Sequence, residues 1–160
     1  MSEPLQQDRD AVLAVIAAFE SCFTKGDIEG LKALWDPADE TPFYIAEEVE
    51  HPLIGQAAIE AYWQEQRSAL AAISLRSWDH HVKMITDDVA VCLFRLHWNA
   101  AQNGFKAHPI GGDVKVSALF KRTAEGWRFV HYAESALGAL PFMRKIYRRH
   151  VDPDFIDRIS

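Results

Sequence analysis

The N-terminal part of the chain carries apolar residues at the spacing of amphipathic helices. Over Asp8–Lys25 they recur every three or four positions, which predicts a helix with one buried stripe. Gly26 then stands where a left-handed residue ends a helix, and Asp27 can cap a short second helix that Pro37 ends. The same spacing predicts a third helix over about Gln56–Ala72.

The apolar period changes to two after the third helix, which indicates β-strands. Before that helix, two short apolar runs predict a hairpin, and Pro52 restricts its second strand to a sheet edge. Three helices followed by a meander predict an α+β domain, not a parallel doubly wound sheet. The predicted strands are Phe43–Ala46, Glu48–Ile54, Leu75–Ile85, Val89–Ala101, Val114–Arg122 and Trp127–Ser135.

The C-terminal segment differs in character, because apolar residues alternate with cations at helical spacing. One interpretation is a basic helix for an acidic partner or a membrane surface. The other is a helix that docks its apolar stripe on the body of the protein, and we favour it because the run is short and the protein is acidic. We therefore expect one domain over residues 1–137 and a helical tail over 138–160, packed on or beside it.

Composition narrows the class of protein. The chain has 160 residues, of which 49% are apolar and 25% charged, as in one ordinary globular domain. A net charge of −6 argues against nucleic acid as a partner. The N-terminus does not resemble a secretory signal and no apolar segment is long enough to span a bilayer, so we expect a cytoplasmic protein with no membrane partner. Cys22 and Cys92 are expected to be free thiols.

Three segments, in order, resemble the nuclear transport factor 2-like (SnoaL-like) superfamily: Phe23–Leu31, Gly55–Trp63 and Glu125–Ser135. The resemblance covers about residues 8–137 and includes the calcium/calmodulin-dependent kinase association domain. It implies a cone-shaped, cystatin-like roll in which a curved antiparallel sheet wraps around three N-terminal helices over a cavity. The superfamily contains isomerases, dehydratases and assembly domains, so the fold leaves the reaction open.

The superfamily's ketosteroid isomerases suggest one set of site residues. Their carboxylate base corresponds to Glu47 or Glu48, while Phe19 occupies the position of their hydrogen-bonding Tyr. Their second oxyanion donor falls near Val116–Ala118. Since both donors are missing, isomerase chemistry of that type is disfavoured. The two glutamates can equally be a solvated hairpin edge that deters aggregation.

Histidines are the other candidate proton carriers. We take Glu47 and His97 as catalytic candidates and His80 as a ligand-binding candidate, although a histidine in a strand is more often structural. No pair of histidines has the helical spacing of a metal site, so no metal is expected. Aromatic residues such as Tyr44 and Trp63 suit the lining of an apolar cavity.

The association domain lines its cavity with three arginines on successive strands. The first corresponds to Arg95, whereas the second is Ala118 and the third is Glu134. We expect Arg95 to point into the cavity and to bridge or nearly bridge Glu134, with Tyr132 or His97 donating hydrogen bonds to a neutral or amphoteric ligand. A Glu134 that faces solvent at a strand end remains the alternative.

An inward Arg95 has a consequence for the other face of the sheet. Taken alone, the alternation along Val89–Ala101 predicts that the large apolar residues of this strand face the core. The resemblance implies the opposite orientation, in which Arg95 faces the cavity and those apolar residues face outward. An apolar patch would then coat the outer face, and a partner sheet should cover it in a homodimer. The patch would consist of Phe94, Leu96, Trp98, Trp127 and Phe129.

These observations predict a homodimeric, cofactor-free protein that binds a small apolar or amphoteric molecule. Lyase or isomerase acid–base chemistry is the expected class if the molecule is turned over. A non-enzymatic dimerisation or assembly domain is the alternative. A polar cavity with a carboxylate or imidazole of shifted pKa would favour the enzyme, and a cavity filled by side chains would favour assembly.

Overall fold

The computed structural model describes residues 3–136, which form three helices and one six-stranded sheet. The expected C-terminal helix over 138–160 lies outside the described residues. No helix within the described part is long and apolar enough to cross a membrane. The helices are α1 (Glu3–Lys25), α2 (Ile28–Ala33) and α3 (Gln56–Ala69), and the strands are β1 (Phe43–Ile45), β2 (Leu53–Ile54), β3 (Leu70–Met84), β4 (Val89–Gln102), β5 (Ile110–Thr123) and β6 (Gly126–Ala136).

The junction between α1 and α2 is formed as predicted. Gly26 adopts φ +66° directly after α1, where an L side chain would be strained. Asp27 caps α2 by accepting a hydrogen bond from the backbone N–H of Gly30 at 2.9 Å. α2 ends before Pro37 because the following residues are drawn into the sheet, where the backbone N–H of Phe129 donates to the carbonyl of Leu34 at 2.8 Å.

The strands form a curved, unclosed sheet in the order β2-β1-β6-β5-β4-β3, which confirms the α+β roll. β3 to β6 are an antiparallel meander, and β1 pairs with β6 in parallel. β2 lies at the edge beyond β1, in agreement with the constraint from Pro52. The parallel pairing matters for the site, because it brings the residues that follow β1 beside the end of β6.

The start of β3 was predicted too late. The chain passes from α3 directly into the strand at Leu70, although the sequence favours helix as far as Ala72. Pairing with β4 decides the outcome, since Ile73 lies opposite Ala100 and the ladder continues through the bulge near Asp79. Ladder hydrogen bonds and burial thus outweigh the modest helix preference of two alanines.

The inner face of the sheet, which packs against the helices, carries the apolar positions of each strand. Alternate residues along β4 and β5, among them Phe94 and Phe120, are buried in the hydrophobic core. A bulge where Phe120 pairs with Phe129 turns both Phe129 and Tyr132 inward. Phe19 of α1 contacts both rings, with centroid distances of 5.6 Å and 5.2 Å.

The expectation of an inward Arg95 is wrong. Arg95 lies on the outer face, where its guanidinium stands over the ring of Trp78 at 5.5 Å. The five residues expected to coat the outer face lie on the inner face, because burying five large apolar side chains outweighs the placement of one charge. The homodimer stays a prediction, without the apolar patch that motivated it. The five residues that belong to or pack against the core on the inner face are Phe94, Leu96, Trp98, Trp127 and Phe129.

Candidate functional site

A cavity of about 280 Å³ lies between the inner face of the sheet and helices α1 and α3. One end is apolar, with walls from α1, β3 and β4 that include Phe19, Leu75 and Leu96. Carboxyl groups gather at the other end, where the loop after β1 meets the last residues of strand β6. A pocket with an apolar body and a few convergent polar groups is the usual form of a small-molecule site.

Three glutamates line the polar end, and each accepts a hydrogen bond from a different donor. Glu47 accepts from the indole N–H of Trp98 at 2.7 Å, and Glu48, at the exposed rim, accepts from the hydroxyl of Tyr62 at 2.6 Å. These bonds fix two of the carboxylates against opposite walls of the cavity.

Glu134 is the third glutamate, and both of its oxygens are engaged. Oε1 accepts from the hydroxyl of Tyr132 at 2.7 Å, and Oε2 accepts from the backbone N–H of Glu47 at 3.2 Å. The contact with Glu47 follows from the parallel pairing of β1 and β6, in which Ile45 lies opposite Ala133. The side chain is therefore held rigidly in the cavity wall.

Burial raises the pKa of Glu134 from its ordinary 4.5 to about 7. The hydrogen bonds from Tyr132 and from the backbone of Glu47 act in the opposite direction, while the negative charges of Glu48 and Glu47 raise the pKa further. Burial prevails because two donors do not replace the water that an ionised carboxylate would otherwise hold. Near neutral pH, Glu134 is present in both its protonated and its ionised form.

Tyrosines surround Glu134 as neutral donors. The rings of Tyr44 and Tyr132 stack with centroids 4.9 Å apart, and burial raises the pKa of both hydroxyls well above the ordinary value. Burial, followed by the charge of Glu48, also raises the pKa of Tyr62. None of these hydroxyls ionises near neutral pH, so the hydrogen bonds from Tyr132 to Glu134 and from Tyr62 to Glu48 persist.

A glycine on β5 makes room for the indole that holds Glu47. Gly112 lies opposite Trp98 in the sheet, and a Cβ at this position would come within 3.2 Å of the indole ring. The glycine thus lets the ring lie flat against the backbone of β5 and direct its N–H into the cavity.

The cavity contains no counter-charge among the described residues. No lysine, arginine or histidine of residues 3–136 lines it, and none of the three glutamates belongs to a salt bridge within that range. In the same range, no group of three His, Cys, Asp or Glu residues is arranged to hold a metal ion.

Several residues predicted from the sequence meet at this cavity. Phe19, Tyr44, Glu47 and Glu134 line it, and Tyr132 lies fully buried behind Glu134. The alternative, a Glu134 that faces solvent at a strand end, is wrong, because Glu134 lines the cavity. The expected bridge to Arg95 is absent because the two side chains lie on opposite faces of the sheet. Tyr132 does donate a hydrogen bond, but to Glu134.

The other predicted residues lie elsewhere. His97 is on the outer face, where Nδ1 lies 2.7 Å from Asp113, so its assignment as a catalytic candidate is withdrawn. His80 approaches Ser77 at 2.8 Å near α1 and does not line the cavity. Trp63 and Ala118 are buried in the core beside the cavity without lining it.

Sequence reasoning missed two residues of the site. Tyr62 was not among the candidates and Trp98 was expected on the outer face, yet they hold Glu48 and Glu47. A signal was available on α3, where Tyr62 and Gln66 are four positions apart and place two polar groups on one helix face that lines the cavity. No comparable local signal marks Trp98.

Comparisons with known proteins place this geometry in context. The family of SnoaL-like domains matches residues 12–139. No curated protein matches the sequence. At the identities found among solved structures, the likeness shows the fold alone.

Three of the similar solved structures serve as examples. A candidate dehydratase of the NTF2-like family from Streptomyces avermitilis is 20% identical over 84% of this chain and 99% of its own, with a TM-score of 0.76. An NTF2-like protein with a cystatin-like fold from Novosphingobium aromaticivorans is 23% identical over 84% and 85%, with a TM-score of 0.69. A candidate scytalone dehydratase from the same organism is 10% identical over 86% and 89%, with a TM-score of 0.71.

Proposed function

The chain belongs to the SnoaL-like domain family, and from that premise we propose that its cavity binds a small organic molecule and that Glu134 transfers a proton in a cofactor-free elimination. The reaction class is a lyase: dehydration of a β-hydroxy carbonyl compound. The observation that carries the proposal is a rigidly held carboxyl group in a cavity wall with a pKa of about 7.

A pKa near the working pH suits a group that must both take and give a proton. As a carboxylate, Glu134 removes the proton on the carbon next to the carbonyl. The carbon–carbon double bond forms as the bond to the β-hydroxyl breaks. The protonated Glu134 then gives its proton to the departing hydroxide, so that water leaves and the carboxylate is restored. One residue therefore completes the cycle without a cofactor.

Hydrogen bonds around Glu134 support this role. The neutral hydroxyl of Tyr132 fixes Oε1 at 2.7 Å, so the carboxyl group is oriented before a substrate enters. The carboxamides of Gln66 and Gln102 line the same cavity and can donate to the carbonyl oxygen, on which negative charge develops.

Isomerase chemistry of the ketosteroid type fits less well. The hydroxyl of Tyr62 and the indole N–H of Trp98, two of the three aromatic donors that line the cavity, are already bonded to Glu48 and Glu47. Neither is available to hold an oxyanion unless it leaves a carboxylate. An elimination has a smaller need for such donors, because the leaving group removes the developing charge.

An assembly role is also less well supported. A domain that serves only to assemble would gain stability from a filled interior, whereas this interior keeps about 280 Å³ of space beside a strongly perturbed carboxyl group. Two structural neighbours are named as candidate dehydratases, which agrees with the proposed reaction class.

The test uses the aldol of benzaldehyde and acetone, a β-hydroxy ketone whose dehydration gives a conjugated enone that absorbs in the ultraviolet. Wild-type protein should accelerate dehydration, and Glu134→Gln should lose roughly a hundredfold or more of that rate. Glu125→Gln, an exposed control at the β5–β6 turn, should keep the wild-type rate. Equal rates in the wild type and in Glu134→Gln would refute the assignment of Glu134.

A further inference from the structure

We propose that the ligand of this cavity is an organic cation: an apolar body that carries a protonated amine, bound between the carboxylates of Glu47 and Glu48 and the aromatic walls. The inference rests on the proposed function, since it names the class of molecule that the same cavity accepts. It follows from the distribution of charge, from the rings and from the free oxygens of the site.

The first observation is the unbalanced charge. Glu47, Glu48 and Glu134 line one end of the cavity, and no cationic side chain among the described residues lines it with them. Arg95 and His97, which could have balanced the charge, lie on the other face of the sheet. Negative charge inside a pocket of low dielectric is costly without a partner, so a cation gains more there than at the surface.

The second observation is the aromatic wall. Rings attract cations through their negative faces, and they also pack against an apolar skeleton. A carboxylate end next to aromatic walls therefore suits an ammonium group with an apolar body. The rings that line the cavity are those of Phe19, Phe23, Tyr44, Tyr62 and Trp98.

The third observation concerns the oxygens that remain free. Glu47 and Glu48 each use Oε1 to accept from an indole or a hydroxyl. Within residues 3–136, no hydrogen bond or salt bridge occupies Oε2 of either residue. An ammonium group has three donors and no acceptor, and charge-assisted bonds to carboxylates are among the strongest that it forms. A carboxylate ligand would be repelled by the charges of these glutamates.

Binding of a cation should also release a proton from Glu134. Its pKa of about 7 leaves it partly protonated near neutral pH, and a cation in the cavity favours the ionised form. Binding should therefore strengthen as the pH rises through about 7 and weaken below it. The titratable groups that face Glu134 are Glu47 and Glu48 from the loop after β1, Tyr44 of β1, Tyr62 of α3 and Tyr132 of β6, while Glu20 of α1 faces Tyr132.

Three probes with nearly the same skeleton separate charge from shape. They are phenethylamine, phenylethyl alcohol and phenylpropionate, which are cationic, neutral and anionic near neutral pH. Calorimetric titration of the full chain at about pH 8 should give phenethylamine an affinity at least about tenfold above that of the alcohol, with phenylpropionate weakest. Glu47→Gln should lose most of the preference for the amine and still bind the alcohol, which shows that it is folded.

Glu125→Gln is the matched control, because it removes one carboxylate from an exposed turn far along the chain from the cavity loop. It should keep the preference for the amine. The affinity of the wild type for phenethylamine should fall about tenfold between about pH 8 and pH 6, and Glu134→Gln should remove that dependence.

The outcomes distinguish this inference from the proposed function. Equal affinity for the amine and the alcohol would overturn the cationic ligand and leave the elimination by Glu134 standing. Failure of phenethylamine to bind would likewise overturn the cationic ligand, whereas the elimination is judged by the dehydration rates of the wild type and of Glu134→Gln. Loss of the preference in Glu125→Gln as large as that in Glu47→Gln would show that only the overall charge matters, and an affinity independent of pH in the wild type would refute the coupling to Glu134.

Discussion

Replacement of Glu134 by glutamine should stabilise the fold, and more so in mildly alkaline than in acidic solution. The pKa of Glu134 is about 7 in the folded protein against an ordinary 4.5. The folded state therefore binds more protons than the unfolded state between these values. The contribution of this carboxyl to stability is fully present below about pH 4.5 and is lost as the pH rises through about 7.

The magnitude follows from the same shift. A pKa difference of one corresponds to about 1.4 kcal/mol, so the full difference would correspond to about 3 kcal/mol. Glu134 is half-buried and its charge is partly screened, which reduces the figure to about 2 kcal/mol. Glutamine can still accept a hydrogen bond from Tyr132 but is a weaker acceptor for the backbone N–H of Glu47. This weaker bond lowers the stability of the variant by about 0.5–1 kcal/mol and offsets part of the gain.

Urea unfolding followed by tryptophan fluorescence measures this effect at about pH 5 and about pH 8. Glu134→Gln should be about 1–1.5 kcal/mol more stable than the wild type at the higher pH, or roughly 2–6 °C in Tm, and about equal to it at the lower pH. Glu125→Gln should show no such dependence on pH. A difference between Glu134→Gln and the wild type that is the same at both pH values would refute the argument from burial.

Three other substitutions test the rest of the account. Phe129→Ala should lower the free energy of unfolding by about 3–5 kcal/mol in the same urea assay, because this fully buried ring packs against four other aromatic rings. Asp27→Ala should lower it by about 1 kcal/mol, because α2 loses its cap. Arg95→Ala should leave the affinity for phenethylamine, measured by calorimetry, unchanged, since Arg95 is on the outer face. A large change in affinity would contradict that placement of Arg95.

Local signals in the sequence predicted the helices and the turn between α1 and α2. They did not predict where α3 ends and β3 begins. The turn at Gly26 and Asp27 was predictable because both residues act through their own backbone and nearest neighbours. The entry into β3 at Leu70 was not, because two alanines there suit either state. Pairing with the distant strand β4 decides between them, and no local pattern contains that information.

The site shows the same division. Alternation along β4 predicted the correct inner face, and following a resemblance in preference to that alternation put Arg95 and His97 on the wrong side. The sequence singled out Glu134, which lines the cavity, but its expected partner Arg95 lies on the other face of the sheet. Its real neighbour, the backbone of Glu47, arrives through the parallel pairing of β1 with β6, which joins segments 87 positions apart in the sequence.

The central claim is that Glu134 is a proton-transfer group whose pKa lies near neutral pH. A carbon-13 NMR titration of the glutamate carboxyl groups measures this pKa directly, with Glu134→Gln used to assign the resonance. We predict a midpoint near 7 for Glu134 and a lower midpoint when phenethylamine is bound. A midpoint near the ordinary 4.5 for Glu134 would contradict the account.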